Sequence, residues 1–237
     1  MREPDRPTWP RVLLACGVLY SVGYAVANDV VAAALYQGYS RLSQAVSELS
    51  ASGAPTKGFL AAMVPVFTGL MVAFGAGVVK AARGRRALRV TGGVLVAHGL
   101  SFSLWLLAPM SQRERIAAGG TPSDTLHIAL TVVTIVLILA QLGSGAAALG
   151  RRFRVYSIVT AVAVVISGIL TGVQSRPMLA GLPTPWLGLT ERVGISLWLL
   201  WIAVLAAVLL RESAAREIPQ GLPMGGGRPA RAALQQG

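Results

Sequence analysis

The chain reads as an all-α, polytopic integral membrane protein: a bundle of six transmembrane helices with a short amphipathic helix in the first outer loop. Two observations predict this. Apolar residues fill 54% of 237 positions and charged ones only 13%, with a mean hydropathy of +0.63. A soluble domain carries about twice that charge fraction. In addition, the apolar residues fall into six runs, each close to the about 20 residues needed to cross about 30 Å of hydrocarbon. They cover residues 12–35, 59–79, 90–109, 126–149, 155–173 and 193–210. Helix is the state expected of each, because lipid offers no partner for a free backbone N–H or C=O.

The first run follows an arm, residues 1–11, that holds Arg2, Arg6 and Arg11. Its Ala25-Val26-Ala27 resembles a signal-peptidase site. The apolar character continues through Val30, Val31 and Leu35, so a retained helix is expected. The second run contains Pro65, expected to kink it, and small residues at Gly69, Ala73 and Gly77. The third has them at Gly93, Ala97 and Ser101. Such four-residue spacing lets helix backbones approach closely in lipid. Trp9, Trp105 and Trp186 fall near expected interfaces, where indoles anchor. No internal three-plus-three repeat is visible, which leaves the inverted-repeat transporter architectures without support. Residues 211–237, rich in Pro and Gly, are expected to be a disordered cytoplasmic tail.

The formal charge of +12 does not indicate nucleic acid, because the basic residues punctuate apolar runs instead of covering a soluble face. Of 21 Lys and Arg, 15 lie in the arm, the second and fourth connectors and the tail. The other six are Arg41, Lys57, Arg113, Arg115, Arg176 and Arg192. Basic connectors stay cytoplasmic. Both termini are therefore expected inside a bacterial plasma membrane, with the first, third and fifth connectors outside. The single cysteine, Cys16, excludes an internal disulfide and a thiolate cluster.

The first connector is the least apolar and most patterned stretch. It reads Tyr36-Gln37-Gly38-Tyr39-Ser40, then Ser47-Glu48-Leu49-Ser50, then Gly53-Ala54-Pro55-Thr56. Gly38 permits a turn and Ser40 suits an N-cap. Leu42, Ala45, Val46 and Leu49 recur as one apolar stripe, with Gln44 and Glu48 opposite. Gly53 and Pro55 end the segment. The pattern predicts a helix folded over the bundle's mouth or lying on the outer leaflet.

Those motifs, with His98 in a middle helix and Gly188-Leu189-x-Glu191-Arg192 before the last, resemble the bacterial membrane family called domain of unknown function 998. Gln37 stands where the family pattern would have proline. The resemblance spans roughly residues 12–210. It implies a multi-helix membrane protein of unestablished activity and supplies no catalytic residues.

The candidate site is an outer polar cluster: Asp29, Glu48, Ser50, His98, Asp124, His127, Glu191 and Arg192. Ionisable groups within membrane helices are costly unless paired or watered. Asp124 and Glu191 also suit the positive end of a helix dipole. His98 lies halfway through its span, where it either bonds a neighbouring helix or faces a cavity shared with Asp29, Glu48 and His127. Arg192 is expected to tie the last helix to the first connector through Glu48, with Asp124 as the other candidate, and Glu191 to meet Arg41 or Arg176. The catalytic residues are not identifiable. No cofactor and no metal are expected, His98 and His127 lying at different depths. Membrane lipids are the expected surroundings and a lipid-like or amphiphilic molecule the expected ligand. Alternatives are a membrane-embedded hydrolase, metal-dependent or not, using His98, His127 and a carboxylate, and a small-molecule transporter. Oligomeric state is left open.

Overall fold

The computed structural model describes residues 9–215. Six helices are long and apolar enough to cross a membrane: α1 (Pro10–Leu35), α2 (Lys57–Ala81), α3 (Arg86–Leu107), α4 (Pro122–Ala148), α5 (Arg151–Ala180) and α6 (Leu187–Ala215). No strand occurs among the described residues. The expected spans are all present. α6 begins at Leu187, six residues before the expected 193, so Glu191 and Arg192 lie inside the helix and not at its mouth. It also continues through residues 211–215, which were assigned to the tail; the rest of that tail, and most of the N-terminal arm, lie outside the described residues.

Each helix packs on its sequence neighbours and α6 closes onto α1, giving a ring. Its centre is solid: Tyr20, Phe67, Met71, Phe74, Leu142, Trp198 and Trp201 are buried in one cluster. The closest approach is between α2 and α3. A Cβ on Gly92 would stand 2.7 Å from the Val79 nitrogen and 2.8 Å from the Gly75 carbonyl oxygen. Only glycine permits backbones that close. This is not the face expected from spacing. Gly69 and Gly93 have open space beside them, and of the two glycines in the expected α2 stripe it is Gly77 that meets backbone, on α1 at Leu13 and Leu14.

Two departures from regular helix position the candidate site. Over Val26–Ala32 α1 widens into a π-helix containing Asn28 and Asp29. Such segments are rare and concentrate at functional sites. In the first connector the expected helix is replaced by turns and a five-residue 3₁₀ segment, Val46–Ser50. Ala45, Val46 and Leu49 of the stripe are buried as expected, whereas Leu42 is 52% exposed. The cause is competition for carbonyls. Those of Arg41 and Gln44 accept from Arg192, that of Ser43 from Arg113 and Thr184, and that of Ala45 from Tyr39. A longer α-helix would need the same acceptors for itself.

Candidate functional site

The first, third and fifth connectors are hydrogen-bonded together at one end of the bundle. The Ser52 N–H donates to Met110 O at 2.7 Å, and Thr184 Oγ1 to Ser43 O at 2.8 Å. Of the eight candidate residues, four gather at this junction. Glu48, only 4% exposed, accepts from Arg113 Nε at 2.7 Å and Nη2 at 2.6 Å. It also caps its own 3₁₀ turn, accepting the Ala45 N–H at 2.8 Å, and receives Gln44 Nε2 at 3.2 Å. Asp29 Oδ1 accepts from Arg192 Nε at 2.7 Å. Glu191 Oε2 accepts the Val46 N–H at 2.6 Å. Arg192 then donates to the carbonyls of Arg41, Gln44 and Gly188 and to the Tyr39 hydroxyl at 2.7 Å.

The expected pairing of Arg192 with Glu48 is therefore corrected. Glu48 belongs to Arg113, and Arg192 to Asp29 on the π-segment. Glu191 meets neither Arg41 nor Arg176; it satisfies a backbone N–H, because α6 starts earlier and carries its carboxylate under the connector. The joining of α6 to the first connector by this motif does hold. Gly188 makes room for it, since a Cβ there would overlap the Gln44 carbonyl oxygen, and the Leu189 N–H donates to Leu42 O at 3.1 Å.

The other four candidates lie elsewhere. Ser50 Oγ donates to Ser47 O at 3.2 Å, a local turn bond. Asp124 caps α4 from within, accepting from Thr121 N at 2.7 Å, and holds the third connector through Ser111 N at 2.7 Å and Oγ at 2.8 Å. His127 bonds Ala108 O through Nδ1 at 2.9 Å and meets the Trp105 ring edge-on. His98 is 3% exposed in the bundle's centre, stacked on Trp198 with ring centroids 4.9 Å apart. The Trp198 indole can only donate, so Gln141 turns its oxygen to it at 2.9 Å and its amide nitrogen to His98 Nδ1 at 2.8 Å. That nitrogen consequently acts as acceptor. Of the two roles expected for His98, the interhelical bond is the one observed. Among the described residues no three His, Cys, Asp or Glu side chains gather as a metal site.

Sequence reasoning missed Arg113, Tyr39 and Thr184. Arg113 holds three connectors at once, donating to Glu48, to Ser43 O and to Thr184 Oγ1, the last two at 2.8 Å. The Glu48 carboxylate raises the Arg113 pKa above its ordinary value despite partial burial. Burial pushes the Tyr39 phenol up to about 12, opposed by its bond from Arg192. A signal for Arg113 was present: it is one of only six basic residues on the sparsely basic side, where each needs a reason to be.

Below this knot α6 bears a shallow groove of ≈ 380 Å³, lined by Leu189, Arg192, Val193, Ser196, Leu197 and Leu200. At the opposite end a pocket of ≈ 260 Å³ is lined by Pro10, Leu14, Arg83 and Leu209 among others, beside the Arg85–Glu212 ion pair at 3.0 Å.

No curated protein and no solved structure matches the chain. The family described as "Protein of unknown function (DUF998)" matches over residues 12–208, which reaches from the first span into the sixth and includes every candidate residue named above. A six-helix membrane bundle with the connector motif and Gly188-Leu189-x-Glu191-Arg192 in contact, this chain belongs to the DUF998 family.

Proposed function

We propose that this protein binds an amphiphilic molecule, lipid-like in shape, from the outer leaflet of a bacterial plasma membrane. In this reading both termini are cytoplasmic and the joined connectors face outward, in keeping with 15 basic residues on one side against six on the other. The observation that carries the reading is the groove on α6. Its lining is apolar along Leu189, Val193, Leu197 and Leu200, and near its upper end stands Arg192, whose guanidinium is bonded into the connector knot beside it. A ligand with one charged end and one apolar end fits that gradient. From Leu189 to Leu200, eleven residues at 1.5 Å each make about 16 Å, close to half the hydrocarbon thickness. A hydrolase using His98 and His127 draws no support from the geometry, since the two sit in separate clusters with their own partners.

The test uses Ser196, which is exposed in the groove. Protein extracted in a mild detergent is expected to retain phospholipid in native mass spectra. Ser196→Trp fills the groove from its lipid-facing side and is expected to strip most of that lipid while leaving the melting temperature unchanged. Lipid retention that is indifferent to the tryptophan would refute the reading.

A further inference from the structure

Bonded to Arg192, which lines the groove, are two charged residues with bonding capacity left over. Resting on the amphiphile-binding reading above, we infer that the ligand is a phospholipid whose headgroup joins a phosphate to a primary ammonium, the chemistry of a phosphatidylethanolamine.

Arg41 supplies the cationic half. Its Nε donates to the Asp29 carbonyl at 2.9 Å, and its own carbonyl accepts from Arg192 Nη1 at 2.9 Å. The residue is thus held at both ends while remaining exposed. Its two Nη groups donate to nothing among the described residues, leaving a guanidinium edge that suits two phosphate oxygens. Asp29 supplies the anionic half. Its Oδ1 is taken by Arg192, but Oδ2 accepts no hydrogen bond among the described residues, and the side chain is 34% exposed.

Arg192 neutralises Asp29 without using both of its oxygens. The knot therefore offers the two free guanidinium nitrogens of Arg41 and one spare carboxylate oxygen of Asp29, joined through Arg192. A wholly anionic headgroup would satisfy Arg41 and set negative charge against Oδ2. A trimethylammonium headgroup has no N–H to donate to Oδ2. A primary ammonium linked to a phosphate meets both demands.

Depth agrees. Arg192 is five residues into α6 and Asp29 six from the end of α1, about 7 and 9 Å below those ends. With 29 residues α6 is about 43 Å long, about 13 Å more than the hydrocarbon, so a helix centred in the bilayer sets Arg192 near the boundary between headgroups and acyl chains. The π-segment is what makes the arrangement possible, since it is the Asp29 carbonyl within it that anchors Arg41.

The experiment compares dioleoyl phosphatidylethanolamine, phosphatidylcholine and phosphatidylglycerol, each offered at equal mole fraction to the full chain in detergent, with bound lipid read by native mass spectrometry. The expected result is about tenfold preference for the ethanolamine lipid over each of the others, the worth of one charge-assisted bond. Arg41→Gln, at an exposed position, is expected to weaken all three lipids alike, since each carries the phosphate. Asp29→Asn is expected to level the preference among the three. Should that variant fail to fold, the wild-type comparison and Arg41→Gln still decide. Equal retention of all three lipids, abolished by Ser196→Trp, would overturn the headgroup assignment and leave the groove reading standing. No retention, or retention indifferent to Ser196→Trp, would overturn both. Soluble phosphoethanolamine displacing bound lipid at equal concentration would overturn the phospholipid as ligand.

Discussion

Arg113→Gln is the perturbation that most directly tests how the connectors are held. Arg113 makes four hydrogen bonds, two of them to Glu48, whose side chain is 5% exposed against 26% for its own. Removing one partner of a buried ion pair strands the other charge, which costs about 3–5 kcal/mol when both are fully buried. Arg113 is partly wet, and Glu48 keeps the Ala45 N–H and Gln44. The lower limit, about 3 kcal/mol, is the figure expected. For a protein of this size about 2–4 °C accompanies each kcal/mol, so the melting temperature should fall by roughly 6–12 °C.

The assay is thermal unfolding in detergent of wild type, Glu48→Gln, Arg113→Gln and the double variant. In the double variant no charge is stranded. Its loss should fall short of the sum of the single losses by about 2 kcal/mol, within the range found for residues in one network. Arg113→Lys should recover little, because an ammonium cannot span both carboxylate oxygens and also reach Ser43 O. Additive losses, or a shift under about 2 °C for Arg113→Gln, would refute the idea that this residue holds three connectors together.

Further outcomes follow from other parts of the molecule. Gly92→Val should destabilise by about 3 kcal/mol, the upper end for overpacking, because the Val79 nitrogen and Gly75 oxygen beside it are backbone and cannot swing away, whereas Gly93→Ala with open space beside it should melt like wild type. Tyr39 has its phenol pKa raised by burial from the ordinary 10 to about 12, so between those values the folded protein keeps a proton that the unfolded chain loses. Stability from this group is whole below pH 10 and falls as the pH rises toward 12; melting curves from pH 9 to 11.5 should decline less steeply for Tyr39→Phe. In a Cys16→Ala background, Ala118→Cys should react with an impermeant maleimide in intact cells and Gly150→Cys should not; both positions are exposed, and the opposite pattern would reverse the proposed orientation.

The spans were legible because hydrophobicity and length act locally: a run of about 20 apolar residues is a helix in lipid whatever its neighbours are. The contact between the first connector and α6 was legible through charge, since Glu191 and Arg192 sit too near lipid to stand alone. Their partners were not. Glu48 and Asp124 were the carboxylates expected for Arg192, and the one it meets, Asp29, is placed by the π-segment, which carries no periodic signal of its own. Nor was Arg113 legible as a strut, because it opens a helix of only five residues, Arg113–Ala117, too short to show amphipathic spacing. The helix crossing failed for a different reason. A chain with 27 glycines offers several small-residue faces, and packing by Met71, Phe74 and Val78 decides which one turns inward.

The Gln141 network and the residues around Arg192 differ in how far their bonding is complete. At the centre, Gln141 is shared between a donor and an acceptor: Trp198 fills its oxygen, His98 fills its nitrogen, and the stacked rings close the space around them. Trp201 and Ser157 form a second such tie between α6 and α5. A network of this kind holds a ring of helices in register, because lipid gives no hydrophobic force between helices and a broken bond there finds no water. At the rim the count differs. Glu48 and Arg113 match each other, but Arg41 retains donors and Asp29 an acceptor that no described residue fills. A protein that needed these charges only for folding could leave Arg41 out, since the Asp29–Arg192 pair would stand without it. Those unused atoms, bonded through Arg192 to the groove on α6, set Arg41 and Asp29 apart from the Gln141 network at the centre.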